Sequence, residues 1–291
     1  MIVVVAGCFG FIGQNVCSYF AERGHEIIGI YRASIPKEKI KIDNITYVKC
    51  DLSIYSPMIE KVDVIINCAG NIGLRNIVGF KGQDLGTDKS IVASLVSLVQ
   101  KVNPSANIIH LGTVDEYGKL EGMLHENRIC KAISAYGRSK LEATNYLLHK
   151  VSNENIRAMV IRPSIVFGPN QDSQMFLTTL LRTLDSNRMF KMTAGEQTRN
   201  FIHINDLCRL VEIIISDFRS GEIINAAYPT SYKLKEVALA IASNVNKLEL
   251  LGIGDVDYRS NEIMNYLPSS SKAEDLYGFF PQYDVLNYPK F

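Results

Sequence analysis

Short apolar, β-branched runs alternate with amphipathic segments through the first half of the chain and a little beyond. Runs with no polar face read as strands of a parallel sheet covered by helices on both sides. Strands are expected at Ile2–Ala6, Glu26–Tyr31, Thr46–Lys49, Val62–Asn67, Asn107–Leu111 and Arg157–Arg162. Helices are expected at Phe11–Arg23, Gln83–Val102 and Ala135–Val151, the last capped by Ser134. After Phe167–Asn170 ("FGPN") the regularity weakens. A helix at Ser173–Leu184 leads to a short strand at Asn200–Ile204, and 205–226 reads as a helix and strand returning to the main sheet. Residues 227–291 are more broken, with prolines at 229, 268, 281 and 289. No repeat or low-complexity linker divides the chain, so a second lobe would be interleaved with the first. The pattern predicts an α/β, doubly wound parallel sheet.

Composition narrows the partners. The 291 residues suffice for one large domain or two lobes. With 31 Lys+Arg against 30 Asp+Glu the net charge is +1, so no global basic field invites nucleic acid. Six cysteines, at 8, 17, 50, 68, 130 and 208, include no CxxC pair, and histidine is sparse. That argues against a disulfide scaffold or a metal site and favours a reducing compartment. The apolar start reads as a strand, not a signal peptide, and no run has the length of a membrane span. The expectation is a soluble cytoplasmic protein without membrane or nucleic-acid partners.

Straight after the first strand comes "AGCFGFIGQNV", Ala6–Val16, with glycines at 7, 10 and 13. In a strand–turn–helix the first glycine allows a tight exit, the second lets backbone approach a pyrophosphate, and the third brings the helix onto the sheet. The helix N-terminus then offers unpaired N–H groups to the phosphates. A packing-only role for the glycines is the alternative, which this context weakens. The spacing G-x-x-G-x-x-G resembles the fingerprint of the extended short-chain dehydrogenase/reductases, the NAD-dependent epimerase/dehydratase family, which act largely on nucleotide sugars. The resemblance implies a Rossmann-type NADP-binding domain over 1–167 with a returning helix and strand at about 205–226. It implies a smaller C-terminal sugar-nucleotide-binding lobe over 168–204 and 227–291, and a homodimer. It further implies cofactor contacts from Gly7, Phe9, Gly10, Phe11, Ile12 and Gly13, from Asp51 and Leu52 of "KCDLS", and from Pro163. Cys68, Ala69 and Gly70 of "NCAGNIG" (Asn67–Gly73) match the turn after the fourth strand.

The second strand ends "IIGIYRAS". An acid at its end would bond the ribose hydroxyls of NAD and repel a 2′-phosphate. Tyr31 stands there instead and Arg32 follows, which suits a dianionic phosphate. NADP(H) is expected over NAD(H); the alternative is that Arg32 is a solvated loop charge.

"SAYGRSKLEA" places Tyr136 and Lys140 one helical turn apart on one face. A phenol alone is a poor acid–base group near neutrality, and a neighbouring ammonium favours its phenolate. "YLLHK" repeats the spacing at Tyr146 and Lys150, about 80° round the same helix. Tyr136 is preferred because it opens the helix, in "YGRSK" surroundings similar to the family's active-site helix, and Tyr146 reads as packing. Thr113 of "IIHLGTVDEYG" lies just past a strand end, where ligands bind in open α/β sheets, and could orient a substrate oxygen. Asp115 and Glu116 stand one place late relative to the family's 4,6-dehydratases and read as structural.

In the second half, "AGEQTRNFIHINDL" resembles the family's R-D-F-I-H-V-D-D segment, which makes Arg199 a pyrophosphate ligand. "YRSNEIM" supplies Arg259 as a second one. These segments and "DEYG" are similar to the nucleotide-diphospho-4-keto-6-deoxyhexose 4-reductases. The activity implied is NADPH-dependent reduction of a C4 keto group on a nucleotide-diphosphate sugar, with Thr113, Tyr136 and Lys140 catalytic. A nucleotide-sugar 4-epimerase holding NAD, or a non-catalytic NADP sensor, are the rivals. Nucleotide, sugar and C4 stereochemistry are not legible.

Overall fold

The computed structural model describes residues 1–32, 45–70, 86–120, 122–171, 174–259 and 262–289. The starts of the expected helices at Gln83 and Ser173, and Asn71–Gly73, lie outside them.

The apolar runs form the strands β1 (Ile2–Ala6), β2 (Glu26–Tyr31), β3 (Ile45–Lys49), β4 (Val64–Asn67), β5 (Asn107–Leu111) and β6 (Ala158–Pro163). Between them run the helices α1 (Phe11–Ala21), α2 (Gly86–Val102) and α3 (Ala135–Glu154). The later elements are β7 (Ile165–Phe167), α4 (Phe176–Asp185), β8 (Phe190–Met192), β9 (Thr198–Arg199), β10 (Phe201–His203) and α5 (Ile204–Ser216). The chain closes with β11 (Ile223–Ala226), β12 (Tyr232–Lys233), α6 (Leu234–Asn244), β13 (Leu251–Ile253) and α7 (Ser271–Tyr277).

Seven strands make the main sheet in the order β11-β6-β5-β4-β1-β2-β3. From β6 to β3 every neighbouring pair is parallel. All six residues of β6 and all four of β4 are buried, so both faces are covered, as the apolar runs Ala158–Ile161 and Val64–Ile66 require. Each Val or Ile withdrawn from water contributes about 1.5–3 kcal/mol, which makes these central strands the anchor of the fold. The order reverses at β1, which lies between β2 and β4, and the turns leaving β1 and β4 therefore meet at the switch point where such sheets take ligands. Leu95 and Leu98 of α2 are buried in the core against α3 residues such as Ala143 and Leu147.

The chain divides into two compact units. The first comprises 1–119, 127–163 and 208–224; the second comprises 120–126, 164–207 and 225–291. The second has its own core, in which Leu177, Leu180 and Leu184 of α4 meet Val237 and Ile241 of α6. It also holds the small sheets β7–β10 and β8–β13, both parallel, and the antiparallel pair β9–β12.

Three expectations shift. The strand expected at Asn200–Ile204 ends at His203, because Ile204 is already the first residue of α5. The segment 227–291 is less broken than its prolines suggest: α6 is regular and buries Val237, Ala238, Ile241 and Ala242. Apolar residues at i, i+1, i+4 and i+5 carried that signal. The two- and three-residue strands fall below the length at which periodicity can be read. No described helix is long and apolar enough to cross a membrane.

Candidate active site

β1 delivers the chain into the glycine turn, where Gly7 takes φ +77°. The turn is tied to β2 by the Gly7 and Cys8 N–H groups, which donate to Ile30 O at 2.9 and 3.2 Å. A Cβ on Gly13 would stand 2.1 Å from the Gly7 carbonyl oxygen, and one on Gly7 would stand 2.9 Å from Ala69 Cα. Backbone meets backbone at both places, so no side chain fits. Gly10 caps α1 with no side-chain hydrogen bond, which leaves the first-turn N–H groups without a side-chain cap. The cradle fits a diphosphate.

Beside it, Phe9 stacks on Tyr47 with centroids 5.1 Å apart and meets the edge of Tyr31 at 5.2 Å. Tyr31 is thus part of an aromatic cluster, and Arg32 is exposed. The Ser53 hydroxyl donates to Asp51 Oδ1 at 2.6 Å and the Ser53 N–H at 3.0 Å. These bonds, with the nearby Arg32 charge, hold the Asp51 carboxyl below its usual range. Leu52 is buried, as is Pro163 at the end of β6.

Past β5 the backbone turns at Thr113, which is 6% exposed and caps the 3₁₀ turn Val114–Glu116. The Thr113 hydroxyl accepts from Asp115 N–H at 3.3 Å, and Glu116 answers by accepting from Thr113 N–H at 3.0 Å. Glu116 is wholly buried and also accepts from Thr144 at 3.2 Å and from Arg162 Nε at 2.8 Å. Burial pushes its carboxyl up, and these donors draw it back. It fastens the turn to α3 and β6.

Ser134 caps α3 by accepting from Gly137 N–H at 2.9 Å, which puts Tyr136 in the first turn of the helix. Gly137 was not singled out from the sequence, yet a Cβ there would stand 2.6 Å from Asp115 O. The bare glycine lets the start of α3 press on the turn that carries Thr113. Tyr136 is 9% exposed and Lys140 4%. Lys140 Nζ donates to Leu111 O at 3.1 Å and to Ala69 O at 3.2 Å, joining the ends of β5 and β4. Asp88, buried in the first turn of α2, accepts from the Ser139 hydroxyl at 2.7 Å. Tyr146 instead packs against the core, with Lys150 Nζ 5.4 Å from its ring centre and paired with Glu154. The glycine turn, Cys68–Gly70, Thr113, Tyr136 and Lys140 all belong to the first unit.

In the second unit the Arg199 guanidinium is already engaged. Its Nη1 donates to Thr198 O and Ile263 O, each at 2.8 Å, and its Nη2 pairs with Glu262. Arg259 is exposed. Asn200, which replaces the acid of the R-D-F pattern, binds the loop after β11 through Tyr228 O at 2.7 Å and Tyr228 N–H at 2.9 Å.

The model of the NAD dependent epimerase/dehydratase family matches residues 3–227. The chain belongs to that family. It is accordingly an enzyme of the extended short-chain dehydrogenase/reductase type with a nicotinamide cofactor. A dTDP-6-deoxy-L-talose 4-dehydrogenase (NAD(P)(+)) of Kitasatospora kifunensis is 26% identical over 239 residues, 77% of this chain and 72% of that one. A CDP-abequose synthase of Yersinia pseudotuberculosis is 22% identical over 271 residues, 91% of each chain. The solved structure of a dTDP-glucose 4,6-dehydratase from Bacillus anthracis with NAD superposes at a TM-score of 0.84. It covers 99% of this chain and 94% of its own at 20% identity, which establishes a shared fold.

Proposed function

We propose that the protein reduces the C4 keto group of a nucleotide-diphospho-4-keto-6-deoxyhexose with NADPH, in deoxysugar synthesis for a bacterial surface glycan. One observation carries the reading: Lys140 Nζ is held on carbonyls at the tips of β4 and β5, one helical turn from Tyr136, with Thr113 next along from β5. Two relatives support it by their names, a 4-dehydrogenase of a 6-deoxy sugar nucleotide and a CDP-abequose synthase.

The glycine cradle would hold the cofactor diphosphate, and Arg32 the 2′-phosphate in preference to a bare ribose. The chemistry supplied by the bound cofactor is hydride transfer to C4. Tyr136 donates its phenolic proton to the C4 oxygen as negative charge develops there. Lys140, two of whose donors are occupied by backbone, would hold the nicotinamide ribose with its third. Thr113 gives its hydroxyl hydrogen to the substrate oxygen while its own oxygen accepts from Asp115 N–H. Arg199 and Arg259 bind the sugar-nucleotide pyrophosphate. We place the enzyme in the cytoplasm as a homodimer.

The test is to mix the protein with NADPH and CDP-, dTDP-, GDP- and UDP-linked 4-keto-6-deoxy sugars and follow NADPH absorbance. Oxidation with at least one of them is expected, and Tyr136→Phe should lower the rate by about 10²–10⁴-fold, the usual worth of a positioned acid. No oxidation with any substrate overturns the reading. Protein that purifies with stoichiometric NAD and turns over without added cofactor would make it a 4-epimerase.

A further inference from the structure

The two carbonyls that hold Lys140 leave strands whose ends are joined by a buried pair of side chains. Asn67 and His110 are partners in the β4–β5 ladder and are 1% and 0% exposed. Asn67 Nδ2 lies 2.9 Å from His110 Nδ1, and Asn67 Oδ1 lies 3.1 Å from Ala69 N. A backbone N–H only donates, so the amide oxygen must face Ala69 and the amide NH₂ must face the imidazole. His110 Nδ1 is therefore an acceptor, and the ring hydrogen sits on Nε2.

That Nε2–H is buried and has no hydrogen-bond partner among the described residues. A buried donor without a partner is a penalty that an apolar residue such as the neighbouring Ile109 or Leu111 would avoid. The imidazole is kept in a core strand despite that penalty, and the bond it does make leads to Lys140. The path is short. His110 orients Asn67, Asn67 orients Ala69, and Ala69 O accepts from Lys140 Nζ at 3.2 Å. The residue after His110, Leu111, supplies the other acceptor at 3.1 Å.

We propose that Asn67 and His110 form a positioning pair that fixes the spacing of the Ala69 and Leu111 carbonyls and so places the Lys140 ammonium. Neither side chain touches the reacting atoms. The imidazole suits the task because it must stay an acceptor at Nδ1, and burial, with the Lys140 charge, holds its pKa well below the usual value. The inference rests on the reading of Lys140 as the residue that holds the cofactor ribose.

The experiment is a double-mutant cycle on full-length protein, with NADPH itself as the probe, its affinity read from its fluorescence. His110→Phe removes the acceptor and keeps a ring in the core, whereas His110→Gln returns an acceptor for Asn67. Expected are a roughly fivefold loss of NADPH affinity in His110→Phe, recovery in His110→Gln, and no further loss when His110→Phe is added to Lys140→Met. The kcat for any 4-keto sugar nucleotide that is turned over should fall in parallel, with substrate KM little changed. If His110→Phe does not fold, Asn67→Ser, too short to reach the imidazole, takes its place in the same cycle. Equal losses with and without Lys140, or unchanged NADPH affinity in both variants, overturn the pair's role. A Lys140→Met protein that binds NADPH and turns over normally overturns the reading of Lys140 instead.

Discussion

Glu116 and Arg199 carry charges that a sequence offers for chemistry, and in the folded chain both are committed to neighbours. Glu116 accepts from a backbone N–H, a threonine hydroxyl and an arginine, with no exposure to solvent. Removing one partner of such a buried pair leaves the other charge unpaired, so its place is structural. Arg199 differs, because its side chain is 15% exposed and its partner, Glu262, 22%. A phosphate would compete with that carboxylate for the same guanidinium edge. Glu262→Gln should therefore tighten binding of the matching nucleoside diphosphate several-fold in calorimetry. Unchanged affinity for CDP, dTDP, GDP and UDP would remove Arg199 from the phosphate site. Arg32 makes a second case. With no acid at the end of β2, Arg32→Ala should weaken NADPH binding by about 10–100-fold, the worth of a charged hydrogen bond, and leave NADH nearly unchanged.

At the scale of elements, the proposed reaction needs the start of α3 and the 3₁₀ turn after β5 to be held against each other, so that Tyr136 and Thr113 can act together. Gly137 is the point of contact, and a methyl there would stand 2.6 Å from the Asp115 backbone oxygen, so the two segments would have to shift apart. Gly137→Ala should cut kcat by about 100-fold, since a shift near 1 Å at a reacting group is enough for that, while the helical circular-dichroism signal is kept. The strand–glycine–helix opening and the Tyr136–Lys140 spacing were legible because both are local: a period of 2 or 3.6 and a fixed offset within one element. The choice of Tyr136 over Tyr146 rested on context, and Tyr146 does turn its ring to the core. The contact at Gly137 was hidden because its partner, Asp115, lies on another element. Helix α6 was within reach of periodicity and was obscured by the prolines around it.

For the whole molecule, acid is the expected weakness. Each unit buries a histidine that burial keeps neutral: His110 in the first, held well below its usual pKa, and His203 in the second, lowered to about 4. In the unfolded chain both titrate near 6.5, so below that pH the unfolded state takes up protons that the folded state refuses. The stability these groups allow is complete above about pH 6.5 and is lost as pH falls toward 4. Glu116, raised by burial, has the opposite sign, so the histidines are best isolated by substitution. Urea midpoints should fall from pH 7 to pH 5, and His203→Phe should flatten that fall. Equal slopes in the two proteins would show that His203 does not govern it.

The order of apolar and polar residues was enough to determine the parallel α/β sheet, the glycine turn on its first strand and the tyrosine–lysine pair on one helix, because each depends on neighbours within a few positions. Tertiary structure alone decided that Lys140 rests on carbonyls 29 and 71 residues away, which groups the structural Glu116 fastens and that Arg199 is already paired. A hydrogen bond is satisfied by whatever the fold brings within about 3 Å, and no local period records that.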